Sequence, residues 1–416
     1  MNLSGMTLGS LVCLIFLPEA NAEWNQWRGP QRTGIISDDS AWPLSLGDGS
    51  LVKQWSAPLA EGYSSPISDG ERLFTFSTKE ETREVVKAFD LVSGKLLWER
   101  SWEGSIKVPF FAKKNGSWVR STPAVHNGAL YVAGMRDVLV KLDASSGDEI
   151  WRVDFTQREE TEPPAFGYVS SPLVDGDAVY VQAGLAVSKL DATTGETLWR
   201  SMEDERPMFG SAFSSPVMAT VAGKRQLLVQ ARLELAGLDP DSGKVLWSTP
   251  VKAFRGMNIL TPTVIGDDRV FTASYGGGAF LFSIAPGEGG SFAVKQEWNN
   301  ESIEGYMSSP VVIEGHVYLH GKDKKLHCLS LADGSVAWTS EEEFGEYWSM
   351  ICRENLILAL DQTGALLLVR ASPEKLDIVD RRTVSEREPT WAHLGIEGET
   401  LLVRSLKDMS VWRWRE

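Results

Sequence analysis

The residues of this chain best suited to bind something are large aromatics, methionines and three arginines, gathered in short stretches along its length. They are Phe110, Phe111 and Arg120, then Phe166 and Tyr168, then Arg206, Met208, Phe209 and Phe213. Phe254, Arg255 and Met257 follow, then Tyr306 and Met307, Tyr347 and Trp348, and last Trp391. Rings and thioethers make an adaptable apolar wall, and a guanidinium fork holds a carboxylate or an extended backbone. The alternative use of such rings is to pack between structural units. Other chemistries find less support. His316 and His320 are four apart in a segment that reads as strand, without the glutamate of a metalloprotease pattern. Gly276-Gly277-Gly278 opens no helix that could present amide groups to phosphate. No Gly-x-Ser-x-Gly occurs, and the acidic run at Glu341–Glu343 reads as a solvated surface. No catalytic, cofactor-binding or metal-binding residue is assigned.

What positions these residues is a repeat. Asp90, Gly94 and Trp98 stand at a spacing that recurs at Asp143, Gly147 and Trp151, at Asp191, Gly195 and Trp199, and at Asp239, Gly243 and Trp247. Ser330, Gly334 and Trp338 keep the spacing with serine in place of aspartate. The Asp-x-x-(Ser/Thr)-Gly segment is hairpin punctuation: a carboxylate that can bond its own turn, then a glycine free to take positive φ. The tryptophan ends the next short strand and is large enough to cover the seam with a neighbouring unit. Upstream of each turn a Ser/Thr-Pro pair leads an apolar strand, at Pro66, Pro123, Pro172, Pro216, Pro262 and Pro310. Two alternating runs lie between. The unit is a four-stranded antiparallel meander of about 40 to 50 residues, a propeller blade, and each aromatic-rich stretch above is the loop into a blade's first strand.

Six blades are clear. A seventh keeps only the strand rhythm from Ser349 to Val379, and an eighth runs from His393 to Trp414 but stops one strand short. Leu51 to Trp55 supplies the missing strand, which would close the ring and remove its open edges. The expected fold is all-β, an eight-bladed propeller over residues 51–416 closed by an N-terminal strand, with seven blades as the competing count. In either ring the aromatic-rich loops all emerge on one face and form a funnel at the axis.

Residues 1–22 read as a signal peptide: an apolar stretch from Met6 to Pro18, then Ala20-Asn-Ala22 as the cleavage site. The remaining chain is expected outside the cytoplasm, periplasmic or extracellular, with no further segment long and apolar enough to span a bilayer. A net charge of −15 argues against a nucleic-acid backbone as partner. Cys328 and Cys352 fall in adjacent blades and could pair or stay as two buried thiols. Residues 23–50 form an N-terminal arm carrying Trp24, Trp27 and Trp42, which could lie along the outside of the ring, plug its channel or tether a partner. The loop from Ser101 to Arg120 could contact a partner, fold over the channel as a lid, or project free.

The Asp-x-x-(Ser/Thr)-Gly-x-x-x-Trp repeat and the Ser-Ser-Pro strand leaders resemble the PQQ-like, quinoprotein-type β-propeller repeat family. The N-terminal Trp24-Asn-Gln-Trp27-Arg-Gly-Pro30 stretch is similar to the leader of exported members from planctomycete-type bacteria. The resemblance covers residues 51–416. It implies one of two functions, because some members are dehydrogenases using pyrroloquinoline quinone and calcium while others, such as the outer-membrane assembly lipoprotein BamB, are scaffolds. The chain has no adjacent Cys-Cys pair and no large pocket-walling insertions, both of which quinone enzymes of the methanol type carry. The expectation is a non-catalytic, monomeric platform for a protein or peptide partner, holding no cofactor. A PQQ- and Ca2+-dependent dehydrogenase and a polysaccharide-binding module are the alternatives. The partner-binding candidates are Phe110, Arg120, Phe166, Tyr168, Arg206, Phe209, Arg255, Tyr306, Tyr347, Trp348 and Trp391.

Overall fold

The structure, a computed structural model, describes residues 24–37, 41–204, 212–386 and 388–415. Eight four-stranded antiparallel sheets follow one another around a ring. Blade 1 spans residues 67–103, blade 2 124–154, blade 3 173–201, blade 4 217–250, blade 5 263–300, blade 6 311–339 and blade 7 348–383. Blade 8 takes three strands from residues 395–414 and its outermost from Leu51–Pro58. That last strand pairs with Asp408–Trp414 from Leu51 opposite Trp414 to Pro58 opposite Asp408. The count of eight and the closing strand are therefore as the sequence predicts, and the weakly patterned seventh blade is complete.

Stacking explains which strands lose the alternation of a half-buried sheet. Inner strands are covered on both faces by neighbouring blades, so Ala129–Gly134 and Ala178–Ala183 are buried along their whole length. Outermost strands keep a wet side, as in Glu149–Asp154.

The seams use the repeat residues. Asp90 Oδ1 accepts from the Ser93 amide at 2.7 Å and its hydroxyl at 2.6 Å, and the Gly94 amide donates to the Asp90 carbonyl with Gly94 at φ +70°. In most blades the tryptophan of the last strand then docks on the next blade. Trp98 Nε1 donates to the Ala144 carbonyl at 3.0 Å, Trp151 to Ala192 at 3.2 Å and Trp199 to Pro240 at 3.1 Å. Trp55 of blade 8 reaches Leu91 of blade 1 at 2.9 Å, carrying the pattern through the closure. A Cβ on Gly147 would lie 2.6 Å from the Trp98 ring, so the glycine serves both the turn and the docking. Trp247 departs from the scheme. Blade 5 links its last two strands through residues 287–291, without the Asp-Gly turn, and the Trp247 indole donates to Gln226 of its own blade at 2.7 Å.

A second, inner set of latches comes from the Ser/Thr-Pro leaders. The Ser65 amide donates to Thr122 Oγ1 at 3.1 Å, Thr122 to Ser171 Oγ at 3.0 Å and Ser171 to Ser215 Oγ at 2.9 Å. Farther round, Thr261 donates to Ser309 at 3.3 Å, and His393 to Ser65 at 2.9 Å. Each pair joins one blade to the next, so the hydroxyls form a belt around the axis.

The N-terminal arm does two of the three things its sequence allows. Residues 41–50 lie outside, over blades 7 and 8, where Trp414 donates to the Ala41 carbonyl and Leu46 to Asp380. Residues 24–37 cross the axis. The Trp24 carbonyl accepts from Ser68 of blade 1, and Trp27 Nε1 donates to Thr261 at the start of blade 5, on the opposite side. Val125 of blade 2 donates to Asn25, while Arg28 donates to the Pro310 carbonyl at blade 6. Arg32 reaches Ser171 and Pro172 at blade 3, and Gly34 and Ile36 pair with Cys352 of blade 7. Three pairs of opposed blades are thus bonded through one segment, which plugs the channel. Cys328 and Cys352 are both buried free thiols.

Candidate functional site

On the face where the loops lead into the first strands, a cavity of about 340 Å³ opens at the axis. Its walls are Tyr63, Phe111, Phe166, Phe213, Tyr306, Tyr347 and Trp391, with Met257, Met307, Val169 and Ile259 between them. Trp27 of the arm lies at its base, and Ser171, Ser215, Thr261 and Ser309 of the hydroxyl belt ring the lower wall. The rings touch: Tyr63 and Trp391 have centroids 4.9 Å apart, and Phe166 lies 5.5 Å from Phe213 and 6.1 Å from Phe111. Beneath, Trp27 meets His393 edge-on at 4.9 Å. Burial lowers the His393 imidazole to about 3, with the nearby Arg28 guanidinium as a second cause, so the ring is neutral at ordinary pH.

Among the described residues two cations line the cavity, Arg120 and Lys114, and no carboxylate does. The Arg120 guanidinium donates to the carbonyls of Gly116 at 2.9 Å, Trp118 at 3.0 Å and Phe166 at 3.3 Å. Burial lowers its pKa to about 10. It stays charged, held by neutral dipoles rather than by a counter-ion. The two arm arginines beneath the floor follow the same rule. Burial lowers Arg28 to about 10 and Arg32 to about 9, and both bond backbone carbonyls. The axis of an acidic protein is therefore cationic.

The long loop after blade 1 forms part of the cavity wall. Its short 3-10 helix, Phe110–Asn115, places Phe111, Ala112, Lys114 and Asn115 on the lining. Lys114 spans the mouth to Glu346, at the loop into blade 7, at 3.6 Å. Of the readings the sequence left open for this loop, the structure shows the one folded over the channel.

The individual candidates divide. Arg120, Phe166, Tyr306, Tyr347 and Trp391 line the cavity together. Phe110 stands beside it, 88% exposed and turned away from the lining. Arg255 is exposed and lies over the Phe254 ring, 5.2 Å from its centroid, outside the lining. Tyr168 and Trp348 are corrected to core residues. Tyr168 packs against the blade 2 and 3 core, and the Trp348 indole donates to Asp361 at 2.7 Å and stacks on His320. The loop into a first strand has both an upper and a lower tier: Trp348 begins the strand itself, and Tyr168 lies buried in the loop ahead of Leu173. Arg206 and Phe209 lie outside the described residues. Residues not among the candidates include Trp27, Tyr63 and the belt hydroxyls; the hydroxyls carry a signal in the sequence, since they hold the same place in successive repeats.

A calcium–quinone centre needs oxygen ligands and a carboxylate base beside the ring system. Among the described residues the lining offers hydroxyls and one amide but no carboxylate, and no three His, Cys, Asp or Glu side chains group as metal ligands. The residues present do not fit that cofactor.

Comparison with known proteins places the architecture. The profile of the family described as Outer membrane protein assembly factor BamB matches residues 82–340. Among solved structures, BamB from Moraxella catarrhalis superposes with a TM-score of 0.62 at 15% identity, over 88% of this chain and 98% of that one. The quinohemoprotein alcohol dehydrogenase from Comamonas testosteroni gives 0.64 at 14% identity, over 95% and 81%. A europium-containing methanol dehydrogenase gives 0.56 at 12%, over 96% and 99%. At these identities the structural likeness shows the fold alone. No curated protein sequence matches significantly.

Proposed function

On the premise that this chain belongs to the family described as Outer membrane protein assembly factor BamB, we propose that it is an exported binding platform for a protein or peptide, non-catalytic and without a cofactor. The observation that carries this reading is the funnel: rings and methionines from the loops of all eight blades converge on one opening whose described lining holds no acid–base or metal-ligand set. Such a wall binds by burying apolar area and adapts to its guest through methionine. The closed floor and the backbone-anchored arm suit a rigid receptor rather than a conduit. Export is supported by the apolar leader at Met6 to Pro18 and its small-x-small site, and among the described residues no helix is long and apolar enough to cross a membrane. A role in assembling envelope proteins follows by analogy with the family description.

The test is quantitative affinity capture from envelope extracts of the source cells. Phe166→Ala and Trp391→Ala are expected to cut recovery of a specific partner at least about tenfold, the effect of losing a central aromatic anchor. Arg255→Ala, outside the lining, serves as the comparison. Equal recovery by wild type and both funnel variants would remove the funnel as the binding surface.

A further inference from the structure

The funnel has three properties that together narrow its guest. It is blind, because residues 24–37 bond opposed blades beneath it and Trp27 forms its base. A chain cannot thread the ring here; it must end inside or turn back within about 340 Å³, which favours a chain end. The described lining is also one-signed. Among the described residues its charged groups are Arg120 and Lys114, with Lys114 engaged by Glu346 at the rim, so the deeper uncompensated charge there is Arg120. Three of the five N–H groups a guanidinium carries are spent on the carbonyls of Gly116, Trp118 and Phe166. Those bonds fix the plane of the fork and leave its charge without an anion. A chain beginning would bring an ammonium into this field and be repelled; a chain end brings a carboxylate. Third, the walls around Arg120 are aromatic, with Phe166 and Tyr63 close by, which suits a large apolar last side chain.

We propose that this site captures the C-terminus of a partner polypeptide, the free α-carboxylate on Arg120 and an aromatic or long aliphatic terminal side chain among the funnel rings. The assignment rests on the binding-platform reading and names its guest. The loop Phe110–Asn115 would then be the side wall that the entering chain passes, with the Lys114–Glu346 pair marking the rim.

The test uses fluorescein-labelled pools of randomised octapeptides ending in phenylalanine, one pool as the free acid and one as the C-terminal amide, with affinity read by anisotropy on the mature full-length chain. The acid pool should bind about tenfold or more tighter, the contribution of a charge-assisted pair shielded from water. Added salt should erode the acid pool's affinity and leave the amide's nearly unchanged, a readout that needs no variant. Arg120→Gln should remove the discrimination and Arg120→Lys retain part of it, while Trp391→Ala should weaken both pools. Equal affinity for acid and amide, both lost in Trp391→Ala, would overturn the carboxylate assignment and leave the platform standing. A preference for acid that survives Arg120→Gln would also overturn it. Binding of neither pool, or binding indifferent to Trp391→Ala, would remove the platform reading and this inference with it.

Discussion

The rim and the axis of this ring are held together by opposite means. At the rim, five of the seams repeat the same device, a tryptophan indole donating to a carbonyl in the next blade's turn over a glycine that leaves room for the ring. At the axis, one non-repeating segment makes a different bond to each blade it touches, with two buried arginines donating to carbonyls. The rim is modular, so damage to one seam stays with its two blades. The axis is shared, so damage there is felt around the ring. The cavity sits where the shared element meets the loops, which gives it a floor that no single blade could supply.

The largest effect should follow from removing the shared element. Deleting residues 24–37 takes away Trp24, 2% exposed, and every bond from the arm to opposed blades. Burial of one indole is worth about 4–6 kcal/mol on its own, so the deletion should lower stability by about 5 kcal/mol or more in urea unfolding. Arg28→Ala and Arg32→Ala, combined, should fall short of the sum of their single effects, since both release the same segment.

Seam variants should be smaller and additive. Trp98→Ala should cost about 3 kcal/mol, and with Trp199→Ala, two seams away, the losses should sum within about 0.5 kcal/mol. Strong coupling between these seams would break the contrast between rim and axis.

The smallest effect concerns a seam with a titrating latch. Asp137 of blade 2 is buried and accepts from the Gly184 amide of blade 3 at 2.6 Å. Burial raises its pKa to about 7. A carboxyl raised above its unfolded value favours the fold below that unfolded pKa, and the advantage is lost as pH rises through about 7. Asp137→Asn should therefore gain about 1 kcal/mol at pH 8 and little near pH 4, read from melting at the two pH values. Asparagine also tolerates the φ of +64° there.

The contrast also explains what the sequence made legible. The rim was readable because Asp90, Gly94 and Trp98 do one job and that job recurs. The closing strand at Leu51 was readable because blade 8 lacked a partner for Val411 to Trp414. The axis was not. Arg28 and Arg32 are surface-type residues whose burial depends on carbonyls supplied by Pro310, Ser171 and Pro172, far along the chain. Trp348 and Trp391 follow similar loops, yet one faces inward on Asp361 and the other meets Tyr63 in the funnel. Only the tier at which each ring leaves the loop separates them, and spacing along the chain does not record that height.

The pairing of Leu51 with Trp414 carries a consequence for biogenesis. During synthesis the Leu51 strand waits, its ladder groups unmatched, until its partner at Asp408–Trp414 has emerged. Closure is a contact of extreme sequence separation and so among the slowest steps of folding. Until it happens the nascent molecule has two sticky flanks, and a chaperone that shields them would guard against chains joining head to tail into open polymers.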